Sequence, residues 1–122
     1  MSKGRVLVVD DNLPVRELMS VIVAQEGYEI LKAQNGYEAI RLAETTRVDL
    51  LITDVDMPGM TGPELVQALA ERDLIKRSLL VTGDVSAIDR LPLDHGHNSI
   101  PFLAKPFNSR QLLAKVRSLM GE

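Results

Sequence analysis

The residues best suited to chemistry in this chain are aspartates that stand at the ends of apolar runs. Asp54 follows the run 50–53, and Asp10 and Asp11 follow the run 6–9. A carboxylate at the end of a buried parallel strand opens onto the carboxyl edge of the sheet, where open α/β folds place their ligand sites. Like charges brought close together repel, so this edge needs a cation, a proton or a phosphorylation chemistry.

Two further polar residues follow apolar runs and reach the same predicted edge. They are Thr82 and Lys105. Carboxylates without thiolates or clustered histidines suit Mg²⁺. Lys105 could pair with Asp54 or with an incoming anion, and Thr82 supplies a hydroxyl donor. Together these groups could bind a phosphoryl group, with metal and ammonium neutralising its oxygens while a carboxylate attacks in line.

Short apolar runs alternate with amphipathic helical patterns, and this alternation must position the polar residues. The predicted strands are 5–10, 28–33, 49–54, 78–82 and 100–104. Helix starts are predicted at Asn12, at Thr61 with Glu64 in capping-box spacing, and at Asn108 or Ser109. Five strands alternating with helices predict an α/β fold, a doubly wound parallel sheet with helices on both faces.

The stretch 86–99 lacks a clear pattern. Its apolar positions are few, and Pro92, Gly96 and Asn98 interrupt any long helix. The sequence therefore predicts a short or broken fourth helix in this stretch, followed by a loop that leads into the fifth strand.

Composition bounds the class of protein. A length of 122 residues suits one domain, residues 1–122, and a hydrophobic share of 45% supplies a core. The net charge of −3 gives no electrostatic reason to expect binding to nucleic acid or to an anionic membrane. The absence of cysteine excludes disulfides, thiolate zinc sites and thiol nucleophiles. No apolar stretch approaches the roughly 20 residues of a membrane helix, so we expect a soluble, cytoplasmic domain.

Four segments, each at a predicted strand end, resemble those of a known family. They are 6–12 (VLVVDDN), 54–62 (DVDMPGMTG), 80–83 (LVTG) and 102–107 (FLAKPF). With these segments in this order, the chain resembles the receiver domain of two-component response regulators, the CheY-like superfamily, over essentially its whole length. The resemblance implies a five-stranded flavodoxin-like sheet in the order 2-1-3-4-5.

The resemblance also implies a role for each residue of the predicted site. Asp54 is expected to be the phosphoacceptor, which takes a phosphoryl group from a phosphohistidine on a sensor histidine kinase or a histidine phosphotransfer protein. Asp11 and Asp54, with the backbone carbonyl of Asp56, are expected to hold Mg²⁺, and Asp10 is expected to support the metal directly or through water. Lys105 is expected to contact the phosphoryl oxygens.

Other residues are implied to respond to phosphorylation or to limit its lifetime. Thr82 is expected to swing toward the phosphate, and Phe102 is expected to rotate inward and so couple the site to the surface around the last helices. Asp56 and Asp84 are expected to flank the phosphate and influence how attacking water reaches it. The peptide bond before Pro106 is expected to be cis.

Two alternative functions belong to other classes. The Asp54-Val55-Asp56 sequence also resembles the nucleophile motif of haloacid-dehalogenase-type phosphatases. Those enzymes place that strand near the chain start, whereas here only 68 residues follow Asp54 in a chain of 122. The other alternative is a pseudo-receiver that binds partners without phosphorylation, but neither the acceptor, the acidic pair nor the lysine is missing. We therefore expect self-phosphorylation and autodephosphorylation only, with no turnover of an external substrate.

Partners are predicted only by class. No helix-turn-helix or basic output region is visible, so direct nucleic-acid binding is not expected, and the downstream protein target is unknown. The chain could be a stand-alone receiver or one cut from a larger protein such as a hybrid sensor histidine kinase, and the sequence leaves both open. The stretch 88–99 does not resemble the regular fourth helix through which many receivers dimerise, so we expect a monomer or a weak dimer.

Overall fold

Five parallel strands form one sheet, and helices cover both of its faces. The computed structural model describes residues 3–84, 86 and 100–121. In chain order the elements are β1 (Arg5–Val9), α1 (Leu13–Ala24), β2 (Glu29–Ala33), α2 (Gly36–Thr45), β3 (Val48–Asp54), α3 (Gly62–Glu71), β4 (Ile75–Thr82), β5 (Phe102–Ala104) and α4 (Ser109–Met120). The strand order is β2-β1-β3-β4-β5. This order confirms the doubly wound fold expected from the sequence.

The sheet separates two apolar cores, because successive strand residues point to opposite faces. On one face Ile52 of β3 lies in a buried cluster with Met19 of α1 and Leu112 of α4. On the other face Leu51 lies in a cluster with Leu65 of α3 and with buried residues of α2. Strand β3 is thus covered on both faces. Its last residue, Asp54, is also buried.

Capping side chains fix the starts of the helices. The Asn12 side chain accepts a hydrogen bond from the backbone N–H of Val15 at 3.0 Å, as the sequence predicts. Thr61 and Glu64 form the predicted capping box, each accepting from the other's backbone N–H. Asn108 caps α4, which decides between the two starts left open. Such caps satisfy N–H groups that have no partner inside the helix.

The strands differ from their predicted bounds mainly at their starts, although β1 starts as predicted and ends at Val9, one residue before the predicted Asp10. β4 begins at Ile75, three residues before the predicted start, because Ile75 pairs with Val48 and Arg77 with Leu50 of β3. Lys76 and Arg77 are exposed, so no apolar run marks this part of the strand. β5 begins at Phe102 rather than at residue 100.

One further expectation is met by the structure, and another concerns residues that the structure does not describe. The Lys105–Pro106 peptide bond is cis, as expected. The predicted short or broken fourth helix, and with it the altered stretch 88–99, lies outside the described residues. Among the described residues, no helix combines the length and the apolar character needed to cross a membrane.

Candidate functional site

Three aspartates converge at the carboxyl edge of the sheet. Asp10 and Asp11 directly follow β1, and Asp54 ends the neighbouring strand β3. One carboxylate oxygen from each lies within 4.8 Å of the others. Asp10 and Asp54 are buried whereas Asp11 is exposed. The parallel register of β1 and β3 produces this convergence, because it brings the ends of both strands to the same height.

The chain holds Asp10 through one of its two carboxylate oxygens. The backbone N–H of Asn12 donates to Oδ1 of Asp10 at 2.9 Å, while Oδ2 is buried and accepts no hydrogen bond from the described residues. Arg16 of α1 donates from Nη1 to the backbone carbonyl of Asp10 at 2.7 Å. A buried carboxylate oxygen without a donor is costly. Oδ2 of Asp10 therefore marks a position where a cation or a bound donor would be favourable.

Lys105 brings a positive charge into the group of acids. Its Nζ donates to Oδ1 of Asp54 at 3.2 Å and lies 3.5 Å from Oδ2 of Asp10. The longer contact is an ion pair rather than a hydrogen bond, consistent with the undonated oxygen of Asp10. The backbone N–H of Lys105 donates to the carbonyl of Thr82 at 2.7 Å. Burial alone would lower the pKa of Lys105, but the charges of Asp10 and Asp54 raise it above its ordinary value.

One lysine does not balance this group of carboxylates. Burial raises the pKa of Asp54 above its ordinary value, and the charges of Asp10 and Asp11 add to that rise while Lys105 opposes it. The ionised form of Asp54 is thus favoured by any further positive charge at the site. Hard carboxylate oxygens, one of them buried without a donor, fit a divalent cation such as Mg²⁺. The donor set therefore agrees with the metal expected from the sequence.

The side chains of the other predicted site residues are not part of this group of acids and lysine. Thr82 is buried, and its hydroxyl donates to the carbonyl of Asp84 at 3.2 Å and accepts from its N–H at 3.0 Å. The Asp84 carboxylate accepts from the Ser86 hydroxyl at 2.6 Å. Phe102 is half-buried against the core cluster on the α2 and α3 face. Asp56 lies exposed on the loop after β3, and its side chain is not part of the group of acids.

Sequence reasoning missed Arg16 as a neighbour of the site and Asn12 as a backbone donor to Asp10. Asn12 carried a signal, since it was predicted as a helix cap, and the same turn that caps α1 directs its N–H at Asp10. Arg16 carried none. A cation in the second turn of an amphipathic helix ordinarily faces water, and its approach to the carbonyl of Asp10 depends on how α1 packs.

The pattern of a known family covers most of the chain. Residues 6–117 match the family described as "Response regulator receiver domain". The chain belongs to this family. As a receiver domain of two-component response regulators, it has a phosphoacceptor signalling role. Receiver domains are signalling domains rather than enzymes, and they interact with histidine kinases and downstream targets. The comparisons favour neither the phosphatase nor the pseudo-receiver.

Solved structures and a curated relative agree with this receiver assignment. The chemotaxis response regulator CheY4 of Vibrio cholerae is 30% identical, with a TM-score of 0.81 over 95% of this chain and 98% of that one. TrrA of Thermotoga maritima, solved in complex with Mg(2+)-BeF, is 32% identical with a TM-score of 0.80 over 95% of this chain and 98% of that one. The alkaline phosphatase synthesis transcriptional regulatory protein PhoP of Bacillus subtilis is 31% identical over 95% of this receiver. The receiver spans only 48% of PhoP, about half the length of that relative.

Proposed function

We propose that Asp54 is the residue of this receiver that accepts the phosphoryl group. The observation that carries the proposal is the convergence of the Asp10, Asp11 and Asp54 carboxylates within 4.8 Å, with Lys105 donating to Asp54 at 3.2 Å. Asp54 stands at the end of the central strand of this group, and its ionised form gains from added positive charge. A carboxylate of this kind becomes a nucleophile when cations offset its neighbours.

The phosphoryl donor is a phosphohistidine of a sensor histidine kinase or of a histidine phosphotransfer protein. An oxygen of Asp54 forms the new P–O bond as the P–N bond to the imidazole breaks, and the imidazole nitrogen keeps the electron pair and takes up a proton. Lys105 Nζ, which donates to Asp54 and is ion-paired with Asp10, turns to donate to the phosphoryl oxygens. The product is an aspartyl phosphate, which the receiver loses by slow autodephosphorylation.

Asp10, Asp11, Asp54 and the backbone carbonyl of Asp56 would hold Mg²⁺. When bound, the ion supplies positive charge beside the phosphoryl oxygens and offsets the repulsion among the carboxylates. Two observations support this ligand set. One is the grouping of the three carboxylates, and the other is the undonated Oδ2 of Asp10.

Thr82 and Phe102 form the switch. The Thr82 hydroxyl is engaged with the backbone of Asp84, so its turn toward a phosphoryl oxygen breaks those two hydrogen bonds. Phe102 stands on β5 beside Leu80, and its half-buried ring moves inward in response. Asp56 and Asp84 flank the phosphate and set how water reaches it. The output is a population shift on a protein-binding surface.

Residues 1–122 form a single receiver domain in this proposal. It works as a monomer or a weak dimer in the cytoplasm, and it acts on an unidentified protein target without touching nucleic acid or membrane itself. The net charge of −3 supports the absence of electrostatic attraction to nucleic acid.

Intact-mass measurement with acetyl phosphate, with and without Mg²⁺, tests the assignment of Asp54. The unaltered protein should gain one phosphoryl group in a Mg²⁺-dependent manner, and Asp54→Asn should gain none. Asp73→Asn serves as the matched control, because Asp73 is exposed and has a φ of 55° that Asn also tolerates. Labelling of Asp54→Asn at the level of the unaltered protein would show that another residue is the acceptor.

A further inference from the structure

The loop that follows β3, residues 55–61, is fastened to the start of α2 by two close contacts with glycines. The Met60 side chain lies directly against Gly36, where an added Cβ would stand 2.5 Å from Sδ and 3.0 Å from Cγ of Met60. The Tyr37 ring lies against Gly59, where an added Cβ would stand 3.3 Å from Cε2 of Tyr37. Each side thus offers a glycine to a large side chain of the other.

The two ends of this loop are already fixed by the backbone. Val55 donates its N–H to the carbonyl of Val81 at 3.0 Å, and Gly62 donates to the carbonyl of Val55 at 2.9 Å. Gly62 also packs so closely that an added Cβ would stand 2.2 Å from the carbonyl oxygen of Asp54. These contacts tie the loop to the strand at its start and to α3 at its end.

The middle of the loop has no comparable tie. Among the described residues, the backbone groups of 56–60 make one hydrogen bond, from Met60 N–H to the Pro58 carbonyl, and that bond lies within the loop itself. The position of the middle of the loop therefore depends on side-chain packing. Met57 is buried in the core, and Met60 and Gly59 contact Gly36 and Tyr37 of α2.

The start of α2, which makes these contacts, is held in place by a helix cap and by buried side chains. Asn35 caps the helix by accepting from the N–H of Glu38 at 2.8 Å, and Ala39 and Ala43 are buried beneath it. Tyr37, in contrast, is 57% exposed, so its ring adds little to the core. The ring instead contacts Gly59, whose φ of +83° lies in the region that favours glycine.

We propose that Tyr37 is a positioning residue for the metal site: with Met60, it holds the loop against α2 and thereby sets where the Asp56 carbonyl faces the three carboxylates. This inference rests on the proposed function, in which that carbonyl is a ligand of Mg²⁺. Tyr37 touches neither the metal nor the phosphoryl group, and it acts only through the loop.

Calorimetric titration with Mg²⁺ tests the proposal directly. Tyr37→Ala should weaken Mg²⁺ binding by about 10-fold, the lower end of what losing a residue that orients metal ligands costs. Tyr37→Phe should bind like the unaltered protein, because the ring edge makes the contact and the hydroxyl adds little. Met60→Ala should weaken binding in the same direction. Amide hydrogen exchange at 56–60 should become faster in Tyr37→Ala.

Leu18→Ala is the matched control, because Leu18 is a large apolar residue of α1 with a similar exposure of 53%. It should change neither Mg²⁺ binding nor exchange in the loop, and both alanine variants should melt close to the unaltered protein. If Tyr37→Ala binds Mg²⁺ as tightly as the unaltered protein, and Asp54 is still labelled, the inference alone is wrong. If the unaltered protein binds no Mg²⁺, the metal site of the proposed function is wrong, and the inference is overturned with it.

Discussion

Two aspartates of the same strand, Asp49 near the start of β3 and Asp54 at its end, experience opposite electrostatic environments. Asp49 accepts from the backbone N–H of Arg5 at 2.8 Å and from Arg47 at 3.1 Å, with Lys76 at 3.7 Å. Burial opposes its charge, but these partners outweigh burial and lower the pKa of Asp49. Burial and two neighbouring acids raise the pKa of Asp54 against a single lysine contact.

The surroundings of Asp49 are rich in cationic side chains. A groove of about 440 Å³ at this end of the sheet is lined by five cationic residues and two acids, beside Leu119 and Met120 of α4. Arg5 pairs with Glu29, and Arg47 and Lys76 pair with Asp49. The cations of the groove also complement the C-terminal end of α4, which carries partial negative charge. Each of the two acids at this end therefore has a cationic partner, although Nε of Arg5 is buried there without a hydrogen-bond partner among the described residues.

The carboxyl edge is left unbalanced in the same fold. Three carboxylates lie together, Lys105 contacts only Asp10 and Asp54, and one buried oxygen of Asp10 has no hydrogen-bond donor among the described residues. Unbalanced charge of this kind is costly to the fold and is typical of functional sites. The comparison teaches that burial alone does not mark a functional aspartate, whereas burial beside other acids, with too little positive charge to balance them, favours one.

The largest expected effect comes from removing the cation that touches Asp54. Lys105→Ala should slow labelling by acetyl phosphate about 100-fold, the scale found when one charge-stabilising donor is lost from a reaction site. The substitution also removes the charge that opposes the raised pKa of Asp54. Time-resolved intact-mass measurement gives the rate. Lys115→Ala, which removes an exposed lysine of α4, should label normally, and equal rates for the two variants would refute the role of Lys105.

The next largest effect is a loss of stability on substitution of Asp49, near the start of β3. Asp49→Asn keeps one acceptor oxygen but removes the charge that Arg47 and Lys76 face. We expect a loss of about 1.5 kcal/mol in the free energy of unfolding, the lower end of what hydrogen bonds to a charged group contribute, because Arg47 and Lys76 are exposed. Urea denaturation measures it, and labelling of Asp54 should be unchanged. A variant as stable as the unaltered protein would mean that the ion pairs at this end contribute nothing.

A smaller effect concerns the pH dependence of stability, which should differ between Asp49 and Asp54 at the two ends of β3. Because the pKa of Asp49 is lowered from its ordinary value of 3.8, its ionised form stabilises the fold. That contribution is complete above 3.8 and disappears as the pH falls through the folded-state pKa. The stability difference between the unaltered protein and Asp49→Asn should therefore shrink between neutral pH and about pH 3. A difference that stays constant over this range would contradict the lowered pKa.

Much of the fold follows from local patterns that the structure keeps. The caps at Asn12, Thr61 and Asn108 were predicted from residue type and spacing, and the strand ends at Asp54 and Thr82 from where apolar runs stop. The start of β4 was not predictable, because Lys76 and Arg77 interrupt the apolar run and join the strand through pairing with β3. That pairing is a long-range contact, which a local pattern does not record.

The composition of the site was predictable to a similar extent. Parallel strands bring their ends together, so Asp10, Asp11, Asp54 and Lys105 could be expected to meet. The partner of the Thr82 hydroxyl, the approach of Arg16 and the contact of Tyr37 with Gly59 could not be expected. Each depends on the path of a loop or on the packing of a helix, which the residue types alone do not determine.

The smallest expected effect has the opposite sign to that of Asp49→Asn and so tests the comparison most closely. Because the pKa of Asp54 is raised, its ionised form destabilises the fold above that pKa, and protonation relieves the cost as the pH falls toward 3.8. Asp54→Asn removes the charge without changing the size of the side chain. In metal-free buffer at neutral pH it should stabilise the protein by roughly 0.5–1 kcal/mol, the lower end of what a stabilising substitution commonly contributes. Urea denaturation at neutral pH and near pH 4 should show the gain shrinking in acid. A loss of stability at neutral pH would mean that Lys105 already compensates the charge of Asp54 fully. The carboxylates at the two ends of β3 would then be equally well compensated by their cations.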